Sequence, residues 1–192
     1  MIKYTDSYMR EHCIDVFFSV SGVHIHVLTG GSLLPPALND IQRNRTLQET
    51  IERKLVQYRE TAPEIAPETT PETADNLIAR NSVIINYDYW HQVQNQVRET
   101  LRTYRFLDFS DNDLSQIIPS FEDFNGHFAR YALLGFHSYN CYEVHEDGTA
   151  TYRKVAGPIK NGIHILSDLD LPEHSIEGMS ANAAEMPEMF VM

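Results

Sequence analysis

The sequence predicts an α+β fold, with antiparallel β-hairpins and a meander packed against two to four amphipathic helices in a single domain. Three observations carry the prediction. Apolar residues alternate on both sides of Ser21-Gly22, helical spacing follows from Leu38 to Tyr58, and a second alternating pair of segments flanks Glu146-Asp147-Gly148. At 192 residues and 42% hydrophobic content the chain is long enough to bury one ordinary core.

The first element is the hairpin in "IDVFFSVSGVHIHVL". A two-residue Ser21-Gly22 loop pairs Val20 with Val23, Phe18 with Ile25 and Val16 with Val27. Those six make one apolar face. The opposite face then sets Asp15, Phe17 and Ser19 against Leu28, His26 and His24. "TGGSLLPP" follows as a strand-to-helix turn, for which glycine supplies the backbone freedom. Apolar residues Leu38, Ile41, Leu47, Ile51, Leu55 and Tyr58 predict an amphipathic helix over 34–58, with Pro35 and Pro36 in its first turn.

Residues 59–76 carry Pro-Glu at 63, 67 and 71. Proline at every fourth position removes amide donors and bars a regular helix, so an acidic proline-rich linker or surface loop is expected. Beyond it, "NSVIINYDYW" reads as a strand and 90–107 as a helix with Val93, Val97, Leu101 and Tyr104 along one side. A shorter helix over 110–118 has Ser110 or Asp111 as its cap and ends at Pro119. A further helix is predicted over 121–134, although Gly126 weakens it. Near the end, a three-residue Glu146-Asp147-Gly148 loop places Tyr142 opposite Tyr152 and Val144 opposite Ala150, and Asn161-Gly162 returns a third strand over 163–166. Residues 173–192 show no sustained period and are expected to form a flexible C-terminal tail.

Fifteen Lys and Arg against 27 Asp and Glu give a formal charge of −12, which argues against binding nucleic acid or an anionic membrane. The N-terminal stretch lacks an apolar core behind a basic start, and no apolar run has the length of a membrane-spanning helix, so a cytoplasmic protein is expected. The two cysteines, Cys13 and Cys141, are too few for a disulfide scaffold or a thiolate zinc site.

His24 and His26 share one strand face because side chains alternate with period two, and Asp15 lies diagonal to His26 in the predicted register. Two imidazoles and a carboxylate form a 2-His-1-carboxylate metal set, which makes His24, His26 and Asp15 the candidate metal ligands. Against this, Phe17 lies directly opposite His26 and no nearby motif supplies a further ligand. His127, His137 and His145 are distant histidines that could join. "TGGSLLPP" lacks the lysine and spacing of a phosphate loop, and its prolines remove amides such a loop needs. Ser32 lacks the second glycine of a hydrolase elbow, and Cys13 beside His12 points to the opposite face of a strand. Arg98, Arg102 and Arg105 flank one helix stripe and are candidate anion-binding residues, with pairing to the chain's own carboxylates as the simpler alternative. The aromatic residues Tyr87, Tyr89, Trp90, Phe136, Tyr139, Tyr142 and Tyr152 read first as core.

With no complete catalytic motif, the expectation is a non-enzymatic accessory module with a protein partner or self-association, using the segments at 59–76 and 173–192, and with no cofactor. The two alternatives are a metal-dependent enzyme holding a divalent metal at His24, His26 and Asp15, and a binder of small anionic ligands.

Overall fold

The computed structural model describes residues 2–61, 83–85, 127–128, 130–132, 134–158, 169–177 and 186–192. The elements run α1 (Asp6–Glu11), β1 (Asp15–Val20), β2 (Val23–Leu28), α2 (Ile41–Thr61), β3 (Val83–Ile85), β4 (His137–Val144), β5 (Ala150–Pro158) and β6 (Met189–Val191). The architecture is α+β, built on one 6-stranded sheet in the order β1-β2-β4-β5-β3, with β6 also on β5. The long β5 has room for two neighbours on its outer edge: β6 pairs with Thr151–Arg153 and β3 with Ala156–Pro158. Among the described residues, no helix is long and apolar enough to cross a membrane.

The first hairpin has the register its sequence predicts, Val20 on Val23 through Asp15 on Leu28. Ser21 and Gly22 both take positive φ, 50° and 80°, the backbone of a tight turn whose twist matches the flanking strands. Val16, Phe18, Val20, Val23, Ile25 and Val27 join Tyr139, Tyr152 and Phe190 in one core cluster. Phe17, on the other face, joins Leu47, Ile51 and Leu55 of α2 with Tyr131, Leu134 and Phe136. The sheet is therefore covered on both sides, with α2 in the second cluster and Met9 of α1 in the first. It is not an all-antiparallel meander: β2 pairs with β4 in parallel, from Ile25 on His137 to Leu28 on Asn140.

Helix α2 starts at Ile41, seven residues later than its apolar spacing predicts. Pro35 closes a separate turn, its carbonyl accepting from the amides of Leu38 and Asn39. Asp40 then caps the helix, its carboxylate accepting from the Arg43 amide at 3.2 Å. Apolar spacing does not distinguish a turn that packs like a helix from the helix itself, and so extends it backwards. Of the helix predicted over 121–134, residues 127, 128 and 130–132 are described and helical. It ends in a left-handed glycine cap: Gly135 has φ 104°, its amide donates to Ala132 and the Phe136 amide donates to Tyr131. Phe136 and Tyr131 pack in the same cluster, the apolar contact that accompanies such a cap.

In the second hairpin Val144 faces Ala150 as predicted, but Cys141 stands opposite Tyr152. A register shift between Cys141 and Glu143 displaces Tyr142, which is left half-exposed while Tyr152 is buried. Gly148 has φ 89°, and a Cβ there would lie 2.5 Å from Leu33 Cδ1. The stretch expected as a loose tail is held at both of its described ends. Glu173 bridges the outer edge of β1 at Ser19, with its carboxylate accepting from Ser19 Oγ and the Ser21 amide. Met186, Phe190 and Met192 are buried around β6. The sequence lacks a period there because a three-residue strand is too short to show one. The predicted helices over 90–107 and 110–118, the strand over 163–166 and the loop over 62–76 lie outside the described residues, although α2 continues to Thr61.

Candidate metal centre

The predicted register brings Asp15, at the start of β1, diagonally to His26 in β2, on the sheet face that packs against α2. There His26 Nε2 donates to Asp15 Oδ1 at 2.8 Å. The third member comes from far away in sequence: His127 Nε2 donates to the same oxygen, also at 2.8 Å. The three ligand atoms lie within 4.8 Å of one another. His26 is wholly enclosed, whereas Asp15 and His127 have side-chain exposures of 13% and 31%, so solvent reaches the group from the His127 side.

Aromatic packing fixes the inner imidazole. Phe17 stacks on His26 with ring centres 5.0 Å apart, and Tyr131 approaches it at 4.2 Å. Phe17, which opposes His26 in the register, thus clamps the ring without blocking it. His127 lies on the helical turn that also carries Arg130 and Tyr131. Arg130 Nη2 donates to the Tyr131 hydroxyl at 2.6 Å and to His127 Nδ1 at 3.3 Å, and lies 3.4 Å from Glu52 Oε1 on α2.

His24 lies outside this cluster. It is one β-repeat along the strand from His26, beside Phe136 at 5.8 Å between ring centres. Of the three predicted ligands, the structure brings Asp15 and His26 together, and the side chain that joins them is His127 and not His24. His137 is buried in β4 beside Ile25, with which it shares the sheet face opposite His26, and His145 donates or accepts at Thr151 Oγ1 in the second hairpin. Arg98, Arg102 and Arg105 lie outside the described residues. Arg130, Tyr131 and Glu52 carry no signal in the sequence beyond the three-residue spacing that puts His127 and Arg130 on one side of a helix.

No family model, curated protein or solved structure matches this chain. The chemistry of the site therefore rests on its own geometry.

The protonation pattern follows from the contacts. Burial alone would raise the Asp15 carboxyl, but the hydrogen bonds and charges of His127 and His26 outweigh it and hold the group well below the usual carboxylate range. Asp15 is thus ionised and accepts only, so both Nε2 atoms carry protons. His26 is pushed down by its burial, against the pull of Asp15, and stays a neutral imidazole. Its Nδ1 is then a buried lone pair with no hydrogen-bond partner among the described residues. Tyr131 is raised by burial and by the Asp15 charge, and remains a neutral phenol.

The donor set suits a divalent transition metal. Ligand atoms about 2.1 Å from one ion stand about 3.0–3.4 Å apart, so the two 2.8 Å contacts would open by a few tenths of an ångström and the two Nε2 atoms, within 4.8 Å of each other, would take up the same spacing. Two imidazoles and one carboxylate, from three separate stretches of chain, are the combination that leaves coordination positions open.

Proposed function

We propose that the chain binds one divalent first-row transition metal ion through Asp15, His26 and His127, and presents it to ligands arriving from the His127 side. One observation carries this reading: two imidazole nitrogens, 101 residues apart in sequence, converge on a single carboxylate oxygen. Three protein ligands are the arrangement of a reactive centre, since structural sites close around the ion with four. The open positions would take water and a substrate donor. Partner capture through 59–76 and 173–192 draws less support, because Met186, Phe190 and Met192 of the second segment are already committed to the chain's own core.

Affinity is limited from within. A metal on His26 Nε2 moves the ring's proton to Nδ1, which is buried with no acceptor among the described residues. An unmet buried donor costs about 1–3 kcal/mol, so the site should bind roughly five- to 150-fold more weakly than one with a carbonyl at that position.

The experiment uses protein prepared without a polyhistidine tag, stripped with chelator and reloaded separately with Zn(II), Co(II), Mn(II) and anaerobic Fe(II). Elemental analysis should find one ion per chain for at least one metal, lost in His127→Ala and Asp15→Asn and retained in His24→Ala. No stoichiometric uptake of any of the four, or uptake that survives His127→Ala, overturns the reading.

A further inference from the structure

Arg130 is the cation nearest the cluster among the described residues, and its contacts depend on where the His127 proton sits. In the present arrangement that proton is on Nε2, facing Asp15, which leaves Nδ1 as an acceptor for Arg130 Nη2 at 3.3 Å. A metal ion can bind Nε2 only through its lone pair. The single proton of a neutral imidazole must then stand on Nδ1, where it faces the Arg130 N–H. Donor meets donor, and the contact that holds Arg130 against His127 becomes repulsive.

We propose that metal loading at Asp15, His26 and His127 releases Arg130 from His127 and makes it the receptor for a small oxyanion, a carboxylate or phosphate group, bound beside the metal. The inference rests on the metal reading above. The remaining contacts favour it. Arg130 stays anchored by the Tyr131 hydroxyl at 2.6 Å, with its guanidinium carbon 4.6 Å from that ring's centre, so release from His127 does not free the whole side chain. Its only carboxylate partner among the described residues is Glu52, at 3.4 Å and 42% exposed, a pair that solvent weakens and an incoming anion can replace. The guanidinium is also underused among the described residues: its hydrogen bonds and ion pair there run through Nη2, while the buried Nε has no hydrogen-bond partner among them. Two positive centres side by side, a metal with open positions and a guanidinium with N–H groups to give, favour an anion that bridges them. Release of Arg130 by the metal, and of the metal's repulsion by the anion, makes the two ligands cooperative.

The test is a titration of Co(II)-loaded and metal-free protein with inorganic phosphate and, separately, with acetate. The Co(II) absorption bands and calorimetry report binding in the loaded protein, and calorimetry alone reports it in the metal-free protein. Loaded protein should bind at least one of the two anions about tenfold more tightly than metal-free protein, and the preference between them identifies the oxyanion class. Arg130→Gln should lose the enhancement while still taking up one Co(II) per chain. Glu52→Gln, at a half-exposed position, should tighten anion binding by removing the resting counterion, and serves if Arg130→Gln does not fold. Equal affinity with and without Co(II), an enhancement that survives Arg130→Gln, or no tightening in Glu52→Gln overturns the inference and leaves the metal centre standing. Failure of Co(II) uptake in the wild type overturns both.

Discussion

Asp15 is the hub of the cluster, and its removal should be felt unequally by its two partners. Asp15→Ala deletes two hydrogen bonds to a charged acceptor, each worth about 1.5–3 kcal/mol when buried. The His127 share shrinks because that ring is 31% exposed and water can replace the carboxylate. The His26 share does not, because that ring has no exposure and its Nε2–H loses its acceptor, in addition to an Nδ1 with no hydrogen-bond partner among the described residues. The expected loss is about 2–4 kcal/mol. His127→Ala removes two part-buried hydrogen bonds, one to Asp15 and one from Arg130, at a ring whose place water can take, and leaves the buried Asp15–His26 bond intact, for a loss of about 1–2 kcal/mol. Urea unfolding of metal-free protein, with unchanged denaturant slope, measures both. Asp15→Ala costing no more than His127→Ala would refute the idea that the inner bond carries the cluster.

Two further outcomes follow from the same physics. His26 has a lowered folded value, so the unfolded chain takes up a proton as pH falls below 6.5 that the native state refuses; this share of stability is complete above 6.5 and lost below it, at a slope approaching about 1.4 kcal/mol per pH unit, and Asp15 adds a second loss below 3.8. The ring signals of His26 in NMR should stay those of a neutral imidazole from pH 7.5 through 6.5, and half-protonation at or above 6.5 refutes the assignment. Phe190, stacked on Tyr152 at 5.3 Å and edge-on to Tyr139 at 4.8 Å, should cost about 3–5 kcal/mol as Phe190→Ala in urea unfolding, whereas a loss under 1 kcal/mol would mean that β6 is not part of the working core.

How much of this was legible in the sequence depends on the range of the interaction that decides it. The β1–β2 hairpin was readable residue by residue, because a two-residue turn and period-two alternation leave one register that buries all six apolar side chains. The second hairpin was readable up to Val144 on Ala150 and failed at Tyr142, where a bulge, which alternation does not announce, shifts the pairing by one residue. The parallel pairing of β2 with β4 was not legible: it joins Ile25 to His137 across a connection of more than a hundred residues, and nothing local to either strand selects a partner. The same distinction divides the site. Asp15 with His26 is a consequence of the hairpin, so the sequence could find it. His24 was the natural third ligand by strand period, yet neighbours on one strand face stand about 6.5–7 Å apart, too far to share an oxygen with His26 without a bend. A third donor has to come from a layer above the sheet, and the helical turn carrying His127 packs there because Tyr131 and Phe136 pin it to Phe17. Phe17, the residue opposite His26, is therefore the contact that brings His127 to Asp15. The position of His127 thus depends on Phe17: an Asp15–His127 contact that persisted in Phe17→Ala, with the helical turn no longer held, would mean that the cluster itself, and not the core beneath it, docks the helix on the sheet.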